Sequence, residues 1–195
     1  MAKGRLIVLY GINNLGKTTQ AKMLTDRLNQ SGRTAKYLKY PVYDLTPTGP
    51  ALNEYLRQGN PRKLSPKDAQ ILYAKNREDY EPILKKDLES GKDVVAEDYW
   101  GTGVAWGVGA GVDKDFLLDL NKRFQFEDLA ILLSGTRFET AVEKKHLHEE
   151  NIEFTNRVEL VHQDLAKQFG WKIVNANQDK EQVAEDIWKL VESVI

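Results

Sequence analysis

Short apolar runs alternate with longer amphipathic segments along the whole chain of 195 residues. Five runs have the length and the composition of buried strands, at 5–10, 34–40, 93–97, 129–133 and 171–175. The spacing of apolar side chains predicts helices at 17–30, 51–58, 66–79, 82–89, 114–123, 138–145, 151–169 and 180–194. Strands that alternate with helices in this way predict an α/β fold with about five parallel strands flanked by helices.

Proline, serine and glycine mark the ends of several segments. Ser65 followed by Pro66 is typical of a helix start, with serine as the N-cap and proline in the first turn. The stretch 41–50 holds three prolines and a glycine and is predicted to be a loop. Residues 100–111 contain five glycines, so this segment is predicted to be mobile or tightly turned.

The charged residues nearly balance, with 28 Lys plus Arg against 29 Asp plus Glu. No global field therefore attracts the chain to nucleic acid or to an anionic membrane, and any phosphate recognition must be local. The absence of cysteine excludes disulfides, zinc–thiolate sites and cysteine nucleophiles. The apolar run Leu6–Tyr10 is too short for a signal sequence or a membrane span, so a cytoplasmic protein is expected.

Residues 11–18, GINNLGKT, match the phosphate-binding pattern G-x-x-x-x-G-K-[ST] in full, between a predicted strand and a predicted helix. The glycines let backbone N–H groups surround phosphate oxygens. Lys17 is expected to bind the β- and γ-phosphates of ATP, and the Thr18 hydroxyl is expected to bind Mg²⁺. The residues predicted to hold the ATP phosphates are Gly11, Asn13, Asn14, Leu15, Gly16, Lys17, Thr18 and Thr19.

A site of this kind also needs a carboxylate near the metal, usually at the end of a neighbouring strand. Glu97 and Asp98 end the predicted strand 93–97, at the edge where α/β sheets bind their ligands. We expect Glu97 to bind the metal together with Thr18, and both carboxylates are candidate catalytic residues. The alternative is that the acidic pair is only a solvated strand end.

The order of these motifs resembles that of the thymidylate kinase family over nearly the whole chain. GKTTQ at 16–20 follows the phosphate loop, YP at 40–41 precedes a loop and a helix, and ILYAKNR at 71–77 is similar to the family's acceptor-binding helix. GVAW at 103–106 resembles the segment after the family's Asp-Arg-Tyr motif, and 171–187 is similar to its last strand, adenine-side loop and final helix. The combination is more specific than the phosphate loop, which many unrelated proteins share.

The resemblance implies a P-loop NTPase three-layer sandwich that forms one kinase domain over 1–195, with a short lid at about 137–150. It also implies phosphoryl transfer from Mg·ATP to a deoxynucleoside monophosphate, with conversion of dTMP to dTDP as the leading reaction. A homodimer is implied as well. The partners expected are thus small-molecule nucleotides and a second copy of the chain.

Further roles follow from the resemblance, residue by residue. Tyr73 would stack on the acceptor base and Arg77 would hold its base or phosphate end, roles that suit an aromatic ring and a guanidinium. Asn175 and Ala176 would border the adenine, and Lys144 of the lid would neutralise charge on the transferred group. The other residues expected at the acceptor are Asn13, Lys39, Tyr40, Tyr99, Thr102 and Gly103. The alternatives are a core role for Tyr73 and solvated positions for Arg77 and Lys144.

One departure from the family pattern concerns the acceptor phosphate. The Asp-Arg-Tyr motif reads EDY at 97–99, so Asp98 replaces the arginine that would bind this phosphate. A carboxylate repels a phosphate dianion, and Lys39, Arg77 or Lys17 would have to compensate. Asn13 and Asn14 replace the acidic residue and the arginine of the family's phosphate loop.

The lid is also expected to offer lysine and histidine in place of arginine. These changes predict an active kinase that is slow or re-specialised. Two alternatives follow from the same departures. One is a kinase for another acceptor, such as another or a modified deoxynucleotide or a nucleoside; the other is a non-catalytic nucleotide-binding protein.

Overall fold

Five parallel strands form one sheet in the computed structural model, which describes residues 3–137 and 152–195. The strands are β1 (Leu6–Tyr10), β2 (Ala35–Lys39), β3 (Asp93–Glu97), β4 (Leu129–Ser134) and β5 (Lys172–Asn175). Their order across the sheet is β2-β3-β1-β4-β5, so β1 lies at the centre. Every residue of β1 and β3 is buried, as their position in the middle of a covered parallel sheet requires.

Seven helices lie within the described residues: α1 (Lys17–Gln30), α2 (Thr48–Arg57), α3 (Pro66–Glu89), α4 (Trp100–Gly109), α5 (Lys114–Asn121), α6 (Ile152–Phe169) and α7 (Lys180–Glu192). α1 contacts α7 and strands β1 to β3, whereas α4 contacts α3, α5 and α6. The fold is the α/β arrangement that the sequence predicts. The helix predicted at 138–145 lies outside the described residues. Within them, no helix is long and apolar enough to span a membrane.

The register of the sheet brings three strand ends together. Leu9 of β1 and Lys39 of β2 both lie opposite Glu97 of β3. The chain therefore leaves β1 at Gly11 and β3 at Asp98 on the same edge of the sheet. In an α/β sheet, ligands bind in the crevice outside this edge, where the strand order changes direction.

A single helix, α3, spans the region where two consecutive helices are predicted. Ser65 caps it as expected, because its Oγ accepts a backbone N–H of the first turn at 3.1 Å. Pro82 lies inside the helix, where a proline costs about 3 kcal/mol. Leu84 and Leu88 follow it and are fully buried. Their packing offsets the cost of the proline, so the predicted interruption is absent.

α4 is a regular helix, so the prediction of a mobile or tightly turned segment at 100–111 is wrong. Its glycines lie where side chains of other elements approach closely. A Cβ at Gly101 would lie 2.4 Å from Cη2 of Trp171, and a Cβ at Gly109 would lie 2.6 Å from Cγ2 of Val158. The helix packs this closely because the glycines are small, and the packing outweighs their low helix propensity.

The predicted loop after β2 is shorter than expected, because α2 begins at Thr48. Asn76 of α3 fixes this loop with three hydrogen bonds. Its Oδ1 accepts the N–H of Val42 at 2.8 Å, and its Nδ2 donates to the Val42 carbonyl and to the Thr48 hydroxyl, each at 3.0 Å. The loop is thereby held against α3, next to the end of β2.

Candidate active site

The predicted phosphate loop joins β1 to α1 and has the backbone shape that phosphate binding requires. Gly11 and Gly16 have φ values of 138° and 81°, which favour glycine. A Cβ at Gly11 would also lie 2.6 Å from the carbonyl oxygen of Leu133. Leu15 is buried, and its side chain belongs to the hydrophobic core. Asn14 adopts a φ of 65°, a conformation that asparagine tolerates better than most residues.

Lys17 reaches back into this loop. Its Nζ donates to the carbonyl oxygens of Gly11 and Ile12, each at 2.9 Å, and lies 3.8 Å from Oδ1 of Asp98. The side chain is only 5% exposed. A buried ammonium is thus held at the centre of the loop, where a triphosphate would bring negative charge.

Glu97 connects three elements around the end of β3. Its Oε1 accepts hydrogen bonds from the Thr18 hydroxyl and from Lys39 Nζ, each at 2.8 Å. The Tyr37 hydroxyl donates to the other carboxylate oxygen. Burial alone would raise the pKa of the Glu97 carboxyl, but the ammonium groups of Lys39 and Lys17 lower it below its usual value. The carboxylate is therefore ionised at neutral pH.

Asp98 follows with a left-handed backbone, at a φ of 62°. Its Oδ1 accepts a hydrogen bond from Thr102 Oγ1 at 3.0 Å. Burial raises the pKa of the Asp98 carboxyl, against the opposing effect of the nearby Lys17 charge. Its closest cation is Lys17, so the negative charge that the sequence places near the acceptor is partly offset within the phosphate loop.

Thr18 and Glu97 offer the oxygen ligands that Mg²⁺ prefers, within hydrogen-bond distance of each other. The described residues hold no group of three or more His, Cys, Asp or Glu side chains that would bind a metal alone. This donor set fits a Mg²⁺ ion that takes its remaining ligands from phosphate and water, as is usual at kinase sites.

A cleft of about 370 Å³ opens beside these groups. Most of the predicted site residues line it: Asn13, Asn14, Gly16, Lys17, Thr18, Thr19, Lys39, Tyr40, Tyr73, Arg77, Glu97, Asp98, Tyr99, Thr102 and Gly103. The structure thus brings together residues from the phosphate loop, β2, α3, β3 and α4. Phosphate-binding groups and a pocket with aromatic walls share one cavity.

Arg77 lies deep in this cleft. The alternative that it is a solvated charge on the helix surface is therefore wrong. The residue is 3% exposed, and its Nη2 donates to Oδ1 of Asn121 at 2.7 Å. Burial lowers the pKa of the Arg77 guanidinium to about 10, so it stays charged at neutral pH. Tyr73 lies one helical turn before it and meets the ring of Tyr55 edge-on at 6.4 Å. Both predicted acceptor residues of α3 therefore face the same cavity.

Tyr40 and Tyr99 are nearly fully buried beneath the cleft. Their ring centroids lie 5.1 Å apart, and the Tyr99 hydroxyl donates to Glu81 at 3.3 Å. The Tyr40 hydroxyl has no hydrogen-bond partner among the described residues. These two tyrosines line the cleft with their rings.

The predicted adenine-side residues lie apart from this cleft. Asn175 is exposed, whereas Ala176 is buried and donates its N–H to the Ser134 carbonyl at 2.9 Å. Asn177 connects this loop to Thr136. Its side chain accepts the Thr136 N–H at 2.6 Å and donates to the Thr136 carbonyl at 2.9 Å. The loop after β5 is thus tied to the residues that precede the lid.

Residues 138–150 of the predicted lid, Lys144 among them, lie outside the described residues. The expectation of a lid without arginine overlooks Arg137 at the first position of the predicted range, whose Nη1 lies 3.5 Å from Thr155 Oγ1 of α6. An arginine is therefore present beside the lid.

Sequence reasoning missed several residues that contribute to the cleft. Tyr37 binds Glu97, and Gln70 and Arg57 are among the unpredicted residues that line the cavity. Strand alternation gives a signal for Tyr37, since it lies on the same side of β2 as Lys39. Helical spacing gives one for Gln70, which precedes Tyr73 by three positions and Arg77 by seven. No local pattern distinguishes Arg57.

His162 of α6 is fully buried, and its Nδ1 donates to the Val158 carbonyl at 3.1 Å. Burial, together with the positive charge of Lys17, lowers the pKa of the imidazole to about 3. The unfolded chain binds this proton near pH 6.5 and the folded protein does not. We therefore expect the free energy of unfolding to fall by about 1.4 kcal/mol per pH unit below pH 6.5 because of this group.

Urea unfolding from pH 7.5 to pH 4.5, followed by circular dichroism, measures this dependence. The variant His162→Asn keeps a donor for Val158 and cannot titrate, so its stability should decline less steeply than that of the wild type. The wild-type slope contains contributions from carboxylates, which the difference between the two proteins removes. Parallel curves would contradict the assignment to His162.

Phosphate-binding groups at one end of a cleft and an aromatic pocket with a buried arginine at the other are the elements that a P-loop nucleotide kinase requires. The comparison with known families agrees with this class. The family model described as Thymidylate kinase matches residues 9–187, so the chain belongs to the thymidylate kinase family and is an ATP-dependent nucleoside monophosphate kinase.

Relatives from distant organisms match over almost their whole length. The human thymidylate kinase is 31% identical over 201 residues, which cover 99% of this chain and 92% of that protein. A probable thymidylate kinase of Thermococcus kodakarensis is 29% identical, with 97% and 98% covered. The solved structure of Candida albicans thymidylate kinase superposes with a TM-score of 0.86 at 25% identity, covering 99% of this chain and 93% of that one.

Proposed function

We propose that this protein transfers the γ-phosphoryl group of ATP to dTMP and releases dTDP and ADP. The observation that carries the proposal is that one cleft holds Lys17, Thr18 and Glu97 together with Tyr73 and Arg77. The relatives that match it are named thymidylate kinases. In this proposal the chain acts as one kinase domain, with its lid at about 137–150.

The phosphate loop would hold the donor. Backbone N–H groups of residues 13–19 would surround the phosphates, and Lys17 would exchange its bonds to the loop carbonyls for bonds to the β- and γ-phosphates. Thr18 and Glu97 would hold Mg²⁺. When bound, this ion would neutralise part of the negative charge of the phosphates. Asn175 and Ala176 would border the adenine, and Lys144 would approach the transferred group from the lid.

The acceptor would bind with its base at Tyr73 and Arg77 and with its phosphate towards Glu97. Lys39 is the best candidate to replace the missing arginine, because its ammonium group lies at the phosphate end and its side chain is 43% exposed. Arg77 lies deeper, bound to Asn121, and Lys17 is committed to the donor loop. The remaining acceptor contacts would come from Asn13, Tyr40, Tyr99, Thr102 and Gly103.

The reaction would need no covalent enzyme intermediate. An oxygen of the dTMP phosphate would attack the γ-phosphorus, and the bond to the β,γ-bridging oxygen would break. Asp98 would position Lys17, from which its carboxylate lies 3.8 Å, and would order the start of α4 through Thr102. Catalysis would then come from positioning and electrostatic stabilisation, with water excluded by the lid.

The test is ADP formation from Mg·ATP with dTMP, dUMP, dCMP and thymidine as separate acceptors, with Lys17→Ala as the inactive control. A range of acceptors is needed because the Candida albicans relative is described as having broad substrate specificity. Preference for dTMP supports the proposal. Preference for thymidine would favour a neutral acceptor, for which Asp98 causes no repulsion. ATP binding without any product would favour a binding protein.

We also propose a homodimer in the cytoplasm, which the family resemblance supports. Light scattering at several protein concentrations tests the oligomeric state directly.

Removal of Mg²⁺ with a chelator should abolish transfer, and its restoration should recover activity. Transfer that continues in excess chelator would contradict the metal role of Thr18 and Glu97.

A further inference from the structure

Tyr37 of β2 contacts the candidate metal site, although the proposed mechanism gives it no role. Its hydroxyl donates to Oε2 of Glu97, whereas the other carboxylate oxygen, Oε1, accepts from Thr18 and Lys39 at 2.8 Å each. A tyrosine hydroxyl is protonated at neutral pH and a carboxylate only accepts, so the direction of the bond to Oε2 is fixed. The two oxygens of Glu97 therefore have different partners, and Oε1 is the one beside the Thr18 hydroxyl.

The register of β2 against β3 places Tyr37 within reach of Oε2. Lys39 lies opposite Glu97, and Tyr37 lies opposite Val95, two positions earlier. Side chains two positions apart on a strand point to the same side of the sheet, so Tyr37 and Lys39 approach the carboxylate from one face. The Tyr37 ring packs against the hydrophobic core, and Lys22 Nζ of α1 lies 5.7 Å from its centroid. The hydroxyl is thus carried by a ring that is held on both sides.

The length of the Glu97 side chain makes such support important. A glutamate presents its carboxylate through one more rotatable bond than an aspartate, so more side-chain freedom must be lost before it can bind a metal. A hydrogen bond to the carboxylate reduces this loss, because it fixes the orientation before the metal arrives. Carboxylates that bind metals are commonly held by such partners, and removal of one weakens metal binding or activity by about 10-fold to 100-fold.

Lys39 is less suited than Tyr37 to hold Glu97 in this orientation. Lys39 shares Oε1 with Thr18, so a metal ion on that oxygen would compete with the ammonium group. The Lys39 side chain is also 43% exposed, against 4% for that of Glu97, and the proposed function assigns it to the acceptor phosphate. The bond from Tyr37 to Oε2 leaves Oε1 available and is therefore compatible with a bound metal.

We propose that Tyr37 is a positioning residue, whose hydroxyl holds the Glu97 carboxylate with Oε1 beside Thr18 and so increases the affinity of this site for Mg²⁺. The inference rests on the proposed function, because that function assigns Mg²⁺ to Thr18 and Glu97. Tyr37 is absent from the described residues that line the cleft, so it acts through Glu97 and not by contact with a nucleotide. Its removal should therefore weaken metal binding and leave the binding of dTMP unchanged.

The first test measures metal binding without turnover. Mn²⁺ is titrated into a solution in which ADP is bound to excess protein, and electron paramagnetic resonance measures the free Mn²⁺. Tyr37→Phe keeps the ring and removes the hydroxyl, and we expect it to raise the dissociation constant for Mn²⁺ by about 10-fold. Tyr80→Phe is the matched control, because the partly buried Tyr80 accepts a hydrogen bond from Lys36 at 2.9 Å and does not line the cleft. An unchanged dissociation constant in Tyr37→Phe would overturn the inference.

A second test asks whether the effect acts through Glu97. Glu97→Asp withdraws the carboxylate from the Tyr37 hydroxyl by one methylene. Tyr37→Phe should then have little further effect on Mn²⁺ binding, since the coupling between two residues in contact is lost when either is changed. The same loss from Tyr37→Phe in both backgrounds would overturn the inference. Thermal unfolding of each variant identifies loss of folding, and a raised KM for dTMP at saturating Mg²⁺ in Tyr37→Phe would indicate a general disturbance of the cleft and contradict the assigned role.

Metal binding and turnover separate this inference from the proposed function. Absence of phosphoryl transfer to dTMP, with weaker Mn²⁺ binding in Tyr37→Phe than in the wild type, would refute the kinase proposal and leave the role of Tyr37 standing. Transfer to dTMP with equal Mn²⁺ binding in the two proteins would refute the role of Tyr37 and leave the kinase proposal standing.

Discussion

Replacement of Lys17 by alanine should lower kcat for dTMP phosphorylation by about 10³-fold or more, since charge stabilisation of the transferred group supplies most of the catalysis in phosphoryl transfer. The lysine is buried within the phosphate loop, and the ammonium group is already held at the centre of that loop by two carbonyl oxygens. The loop is thus arranged around a positive charge before any nucleotide binds. We expect no compensation by Lys39, because the proposed function places its ammonium group at the acceptor phosphate, beside Glu97.

A coupled assay for ADP with saturating dTMP measures this effect. Lys17→Met is the better of two variants for interpretation, because it fills the same volume without the charge. Lys180→Ala, in which an exposed lysine at the start of α7 is changed, should behave like the wild type. A loss smaller than about tenfold in both Lys17 variants would argue that the loop does not bind the γ-phosphate.

The phosphate loop and the central strands could be predicted because their signals are local. The residues of β1 form one apolar run, and Gly11, Lys17 and Thr18 stand at fixed spacing beside it. The continuity of α3 and the helical state of α4 depend on contacts that spacing does not reveal. Gly101 is small because Trp171, seventy residues later, occupies the adjacent space. A glycine count alone indicates flexibility, whereas the fold uses these glycines for close packing.

The same distinction applies to the site. The sequence places Asp98 next to the acceptor and predicts repulsion, but the partial offset by Lys17 depends on the register of β3 against β1. Gln70 has helical spacing with Tyr73 and Arg77, yet its place in the wall of the cleft is visible only in three dimensions. Residue types and spacing therefore predict the chemistry, and the fold determines which of these residues remain available to a ligand.

Glu97→Gln should lower kcat/KM for dTMP by about 100-fold or more, because Glu97 is both the candidate metal ligand and the anchor of Thr18, Lys39 and Tyr37. The neutral amide keeps the size of the side chain and removes the charge that pairs with Lys39. The Glu97→Gln variant should also need a higher Mg²⁺ concentration for half-maximal activity. Activity measured across a series of Mg²⁺ concentrations separates loss of metal affinity from loss of turnover.

Asp98→Asn is the matched comparison. It should change kcat/KM for dTMP by about tenfold or less. Asparagine tolerates the left-handed backbone at this position and can still accept the hydrogen bond from Thr102. The Asp98 carboxylate is also the group expected to repel the acceptor phosphate, so its removal should lower KM for dTMP while leaving the Mg²⁺ requirement unchanged. Equal losses in the two variants, with equal shifts in Mg²⁺ dependence, would mean that both carboxylates face the metal and that Glu97 has no special place there.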